Sequence, residues 1–523
     1  MINMRIVTGE GICIKEFLLS LGADLPSEPD LTLKKPIRAI TLHSSLCRDG
    51  DLFISLAKDP EADRRNTEEA SRLGALTVGR LGRIRISDPK IALLTLSALY
   101  KRRLGRLKTT LMITGSVGKT TTKELLKRLC EGSLTVHATE GNLNNDVGMP
   151  ITVLTAPKDT ELLILECGMN HEGELKRLSE YARPDPVIIT NVGTAHIGNL
   201  GSREAIARAK LEALYGNPAS VLIAPTDEKL LATDHEKVTF RVTFDDSPEN
   251  ATELRHGLSD GDLREASEPD RMTVTHEVTF DGLRQPSTRA CHLGGDIRQI
   301  DQYNDKAHEA DYAFAVCERT CGSRLSVRYG ENYHVFDLPL GISHIAESFA
   351  AATCAALHLG ITPEELCERF SGLGGDVLRY TVTSRGGVTI IDDSYNASLE
   401  TVKSALGLLM RTEGKRHLAL LGEVNELGEF AEKIHTEIGR AAASVGVDEL
   451  FLCGLHKEQL ARGAMSINSD LEIELMPHGV CRDEMADILS RALREGDVLL
   501  VKASHSERLG EVAGKLKERL DGV

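Results

Sequence analysis

The stretch LMITGSVGKTTTKELLKRL, residues 111–129, passes from a short apolar run through a turn bounded by Gly115 and Gly118 into a segment of helical spacing. A strand, a glycine turn and a helix in that order aim backbone N–H groups at an anion, because the first turn of a helix leaves its N–H groups without intrahelical partners. Gly115 and Gly118, with Ser116 between them, let the main chain approach a phosphate closely. Lys119 adds a point charge, and Thr120, followed by Thr121, offers a hydroxyl to a magnesium ion. The strict phosphate-loop pattern has glycine where this chain has Ile113, so the placement between strand and helix carries the reading.

Outward from this turn, TLMITG, LLILECG, PVIITNVG and SVLIAP are short β-rich runs separated by helical stretches, the pattern of a mostly parallel sheet wrapped by helices. Ligands of such sheets lie beyond the carboxyl ends of the strands, which brings Glu166, Asn191 and His196 toward Lys119. A second α/β series follows the Ala-rich helix SHIAESFAAATCAALHLG, with strand candidates GVTIIDD, HLALLGE, ELFLCG and DVLLVKAS. Before the turn lie mixed short elements, among them a strand candidate at 51–56 and a helix candidate at 66–76. The expected fold is α/β in three domains: a small mixed unit at 1–108, a central phosphate-loop sheet at 109–376 and a Rossmann-like unit at 377–523. Within the central unit, residues 237–337 form an enlarged polar region, whose flanks KVTFRVTF and MTVTHEVTF read as antiparallel strands around an acidic loop.

A chain of 523 residues exceeds one ordinary core. With 62 Lys and Arg against 78 Asp and Glu, the formal net charge of -16 argues against a general nucleic-acid surface, so any polyanion must be held by a local site. The amino terminus lacks a basic, then apolar, signal pattern, and no run reaches membrane-spanning length, so the expectation is a cytoplasmic protein without membrane insertion. Eleven scattered cysteines do not form a disulfide framework.

The ordered motifs TGSVGKTTTKE, GNLNNDVGMP (141–150), LECGMNHEGE (165–174), NVGTAHIGNLGS (191–202) and ARAKLE (207–212) resemble the central domain of the Mur ligases, ATP-dependent amide-forming enzymes of peptidoglycan synthesis. IDDSYNAS (391–398), LGEVNELGEFAEKIHTEIG (421–439) and GDVLLVKAS (496–504) extend the resemblance through the carboxyl third. It implies an ADP-forming ligase that joins D-alanyl-D-alanine to a UDP-N-acetylmuramoyl-tripeptide through an acyl phosphate, acting as a monomer on small-molecule substrates. It also implies roles: Lys119 on the β and γ phosphates; Thr120 and Glu166 on a magnesium ion; His196 and a carbamylated Lys210 at a second ion. Asn142, Asn145, Arg379 and Asp393 would contact the nucleotide, with Asp393 on the ribose, and Ser44 and Asn396 the substrates.

Departures fall on the substrate-reading surfaces. Ser343, His344 and Glu347 stand at the family's adenine-side asparagine stretch, and His43, Ser44 and Ser45 replace its Asp-Ser-Arg signature for the UDP-sugar. Ala503 and His505 stand where glycine and arginine are usual, beside the retained Lys502 and Ser504. Two other readings follow: a Mur-like ligase acting on a different carboxylate and amino acid or dipeptide, and a catalytically degenerate ATP-binding scaffold.

Overall fold

A computed structural model describes residues 5–7, 12–22, 35–244, 311–319, 322–329, 332–338, 345–373 and 380–520. Three sheets organise it. The first runs Arg5–Val7, Ala39–Thr41, Leu52–Ile54, Leu76–Gly79, Ile84–Arg85, parallel except for the first pair. The expected helix at 66–76 is longer at its start and shorter at its end. The Asp59 side chain accepts from Ala62 N–H and Pro60 opens the helix Pro60–Arg72, while Gly74, at φ +83°, ends it and frees Leu76 to begin a strand.

The central sheet has nine strands, in the order Asn332–Leu338, Gly322–Tyr329, Tyr312–Arg319, Lys237–Phe244, Leu222–Pro225, Val187–Ile189, Thr109–Thr114, Leu162–Glu166, Val136–Ala138. The phosphate-loop strand Thr109–Thr114 is buried between Leu162–Glu166 and Val187–Ile189, both parallel to it, which is why these strands read as unbroken apolar runs. The antiparallel expectation for KVTFRVTF is corrected: Lys237–Phe244 pairs parallel with both Leu222–Pro225 and Tyr312–Arg319. Its alternating pattern sets Val238, Phe240 and Val242 against the core and Lys237, Thr239 and Arg241 on the other face, which either orientation satisfies. Antiparallel pairing begins only beyond Tyr312–Arg319. MTVTHEVTF and the acidic loop lie outside the described residues.

The third sheet runs Thr381–Arg385, Val388–Asp392, Asp497–Lys502, Arg416–Leu421, Glu449–Leu452, Glu472–Leu475, parallel except for its first pair. Helix Pro89–Lys101, capped by Asp88, buries Leu93, Leu94, Leu96 and Leu99 and packs against helix Gly148–Leu154, joining the first sheet to the second. Each such leucine contributes roughly 1.5–3 kcal/mol by leaving water. No helix among the described residues is long and apolar enough to cross a membrane.

Candidate active site

The phosphate loop is shaped by two glycines and fastened by a neighbouring strand end. Gly118, at φ +84°, immediately precedes helix Lys119–Cys130. Gly115, at φ +150°, passes so close to Thr190 that a Cβ there would stand 1.8 Å from the Thr190 hydroxyl. Ser116 N–H donates to Asn191 O (3.2 Å), Val117 N–H to Asn191 Oδ1 (3.0 Å) and Gly193 N–H to Ser116 Oγ (2.9 Å), so the loop and the segment after Val187–Ile189 are laced together. Lys119 folds back over the turn, its Nζ donating to Gly115 O at 2.7 Å. The N–H groups opening the helix and the Lys119 ammonium make a cradle for phosphate.

Beside the cradle, Thr120 Oγ1 donates to Glu166 Oε2 (2.6 Å) and Asn144 Nδ2 to Glu166 Oε1 (3.2 Å). Glu166 is buried; Lys123, also buried, stands 3.8 Å from Glu166 Oε2 and donates to Thr139 O at 2.5 Å. This hydroxyl and carboxylate fit a hard divalent cation, for which oxygen donors are the preferred ligands. His196, at φ +65°, places its buried Nδ1 2.6 Å from Glu426 Oε2, so this carboxylate is the partner of that ring nitrogen. Lys210 is almost wholly buried, and burial, with the nearby Lys119 charge as a lesser cause, pushes its ammonium well below the ordinary lysine range.

These groups open into a cleft of about 1160 Å³ lined from all three sheet units. Ser116, Gly118, Lys119, Thr120, Thr121, Asn142, Asn145, Glu166, His196, Asp393 and Asn396 line it together; Gly115 and Lys210 are not among the lining residues. Asp393 is ion-paired to the buried Lys502 (2.7 Å), whose Nζ also donates to Asn396 O (2.9 Å). Ser44 is not among the lining residues: it is buried and donates to Glu69 of helix Pro60–Arg72. Arg379, Ser343 and His344 lie outside the described residues; Glu347 lines the cleft.

Sequence reasoning missed several residues here. Lys90 pairs with Asp146 (2.6 Å) and Arg177 with Asp88 (3.0 Å), forming a charged wall where the first unit meets the second. Glu400 and Glu426 reach in from the third unit. Asn144 and Asp146 belong to GNLNNDVGMP and Glu426 to LGEVNELGEFAEKIHTEIG, and the place of Asn144 before a helix on the strand's carboxyl side was the available signal. Lys90, Asp88, Arg177 and Glu400 carry no local signature. Apart from the cleft, Glu423, His435 and His456 converge at the carboxyl ends of third-sheet strands. His435 Nδ1 meets Ala431 O (2.7 Å) and its Nε2 accepts Val424 N–H (3.0 Å), while His456 Nδ1 meets Glu423 Oε1 (2.6 Å). Hydrogen bonds thus satisfy that cluster internally.

Residues 113–275 match the Mur ligase middle domain and residues 378–505 the Mur ligase, glutamate ligase domain. The UDP-N-acetylmuramoyl-tripeptide--D-alanyl-D-alanine ligase of Bacillus subtilis is 30% identical over 438 residues, 83% of this chain and 81% of that protein. The enzyme of the same name from Synechocystis is 29% identical over 90% of this chain and 92% of its own. Among solved structures, MurF from Acinetobacter baumannii superposes with a TM-score of 0.74 at 20% identity, covering 98% of this chain and all 100% of that one. MurF from Thermotoga maritima in complex with ADP gives 0.69 at 23% identity, covering 92% and 98%. At these identities the superpositions establish the fold.

Proposed function

The chain belongs to the Mur ligase family, and from that premise we propose that it is an ATP-dependent, ADP-forming ligase that adds D-alanyl-D-alanine to a UDP-N-acetylmuramoyl-tripeptide in peptidoglycan precursor synthesis. The observation that carries this reading is the meeting of Lys119, Thr120 and Glu166 in one cleft that also receives walls from the first and third units. An isolated phosphate loop would support nucleotide binding alone. A cleft with three walls has room for a nucleotide, a carboxylate and an amine at once.

A carboxylate and an amine do not condense in water without activation. The acceptor carboxylate oxygen attacks the terminal phosphorus of ATP, the bond to ADP breaks, and an acyl phosphate forms. The amine nitrogen then attacks the acyl carbon, the tetrahedral intermediate expels phosphate, and the nitrogen loses a proton. Phosphoryl transfer depends mainly on positioning and charge neutralisation. Lys119 and the helix N–H groups hold the phosphates; Thr120 and Glu166 are suited to a magnesium ion, and His196, which lines the same cleft, is proposed for a second on the resemblance. Magnesium would neutralise charge shared between the phosphates and the incoming carboxylate.

The Lys210 reading is supported by burial: carbamate forms from a neutral amine, and burial disfavours the charged form of Lys210. Carbamylation would turn this nitrogen into an anionic ligand. Asp393 and Asn396, held by Lys502, are suited to the nucleotide or substrate side of the cleft. Arg379 is proposed for the phosphates on the resemblance alone. We propose three domains, with boundaries near 108 and 377.

Ser44 is engaged by Glu69, and His43 and Ser45 bond each other (2.9 Å), so the acceptor is the substrate to be identified by experiment. The test is mass spectrometry of products, with ADP release measured in parallel, after ATP, magnesium, UDP-N-acetylmuramoyl-tripeptide and D-alanyl-D-alanine are mixed with the protein. A panel of other acids and amines runs beside it. Amide product from the named pair supports the reading. Product only from another pair makes this a Mur-like ligase of different specificity, and no product from any pair leaves an ATP-binding scaffold.

A further inference from the structure

Two carboxylates of the third unit grip the loop that follows strand Val187–Ile189. Glu400, in the first turn of helix Leu399–Arg411, accepts from Thr194 N–H (2.9 Å) and from the Thr194 hydroxyl (3.2 Å). Glu426 stands 2.6 Å from His196 Nδ1, and its own carbonyl accepts Gly198 N–H at 3.2 Å. His196 and Glu426 both adopt left-handed backbone conformations, at φ +65° and +64°, which side chains other than glycine occupy only when their surroundings hold them there. The two units also touch backbone to backbone, since a Cβ on Gly198 would lie 2.5 Å from Gly428 N, and a Cβ on Gly193 would lie 2.9 Å from the Glu400 carboxyl. From the gripped loop the path to the phosphates is continuous, through Gly193 N–H to Ser116 Oγ and Asn191 to Val117 N–H.

Building on the ligase reading, we propose that Glu400 and Glu426 are positioning residues for phosphoryl transfer, which set loop 191–198, and through it His196 and the phosphate cradle, only when the third unit is docked. An exposed ion pair would do little. Here the contacts are shared among two carboxylates, two main-chain N–H donors and a glycine-to-glycine approach, and the loop they fix carries groups facing the phosphates.

The experiment compares wild type with Glu400→Gln, Glu426→Gln, Glu426→Ala and Gly198→Ala, the last keeping both carboxylates while blocking the approach. Circular dichroism and thermal melting check folding of each, and the Gln variants preserve side-chain volume. The expected result is a fall in kcat for Glu426→Ala and Gly198→Ala, up to about 100-fold for a misplacement on the ångström scale, with the Kd for ADP near the wild-type value. His196→Ala and the double variant His196→Ala/Glu426→Ala should be no slower than one another, because Glu426 acts through His196. Wild-type kcat in Gly198→Ala and Glu426→Ala, or full additivity in the double variant, overturns the proposal. Small-angle scattering with ADP supplies an arm independent of turnover: Glu400→Ala/Glu426→Ala should be more extended than wild type, and equal dimensions overturn docking through these residues. If wild type releases no ADP with any acid and amine, the ligase reading falls while scattering still decides the clamp.

Discussion

Replacing Gly115 by alanine tests whether the phosphate loop is built by close approach to Thr190. The added Cβ would lie 1.8 Å from Thr190 Oγ1 and 3.0 Å from its Cβ, at a φ of +150° that L side chains rarely adopt. Thr190 is buried, and its hydroxyl donates to Val117 O, so it cannot swing aside without breaking a bond that fastens the loop. Backbone strain of roughly 1–3 kcal/mol and a lost hydrogen bond of roughly 1 kcal/mol give a destabilisation of about 2–4 kcal/mol. At roughly 2–4 °C per kcal/mol for a unit of this size, Tm should fall by about 5–15 °C. Scanning calorimetry with and without ADP reads both parts: the lower Tm, and loss of the rise that a bound nucleotide confers. Thr190→Ala removes the closest atom, so the double variant should be less destabilised than the single effects imply, with a coupling of about 1 kcal/mol or more. A Gly115→Ala protein that melts like wild type and is still stabilised by ADP would refute the reasoning, as would strict additivity with Thr190→Ala.

Lys119→Ala should lower substrate-dependent ADP formation by roughly 100-fold to 1000-fold with an unchanged circular dichroism spectrum, since the lost charge acts most strongly as phosphate charge shifts; normal turnover removes Lys119 from the site. Lys210→Ala should be nearly inactive and partly recovered by added short carboxylic acids that fill the vacated carbamate position, a rescue not expected for Lys119→Ala; wild-type turnover without additives rules the carbamate out. Burial lowers the pKa of His137 and of His435, so the unfolded chain binds more protons than the folded one as these groups titrate. Stability from keeping them neutral is therefore present above about pH 6.5, and is lost as pH falls through that value toward the depressed folded ones. Tm measured between neutral and mildly acidic pH should decline less steeply in His435→Gln; an identical slope excludes His435 as a contributor.

Recognition of the phosphate loop, of Glu166 and of the alternating strand and helix series needed nothing beyond local chemistry. A glycine before a helix, a carboxylate at a strand end and an unbroken apolar run each record a constraint acting within a few residues. Lys237–Phe244 shows the limit of that reasoning. Its period fixed a strand with two unlike faces, yet its parallel orientation came from the partners on either side, Leu222–Pro225 and Tyr312–Arg319, the latter some seventy positions away by register. Ser44 shows another: its hydroxyl is spent on Glu69, a partner that no pattern around Ser44 announces.

By itself the sequence determined the fold class, the order of the motifs and the anion-binding turn, because backbone conformation and binary patterning are short-range properties. The meeting of the third unit with loop 191–198 was decided only by tertiary structure. Glu400 bonds Thr194 across 206 positions of chain, and a hydrogen bond between such distant residues depends on how two sheets pack. No local period or spacing encodes that distance, so the groups that couple the units became visible only once the chain had folded around the cleft.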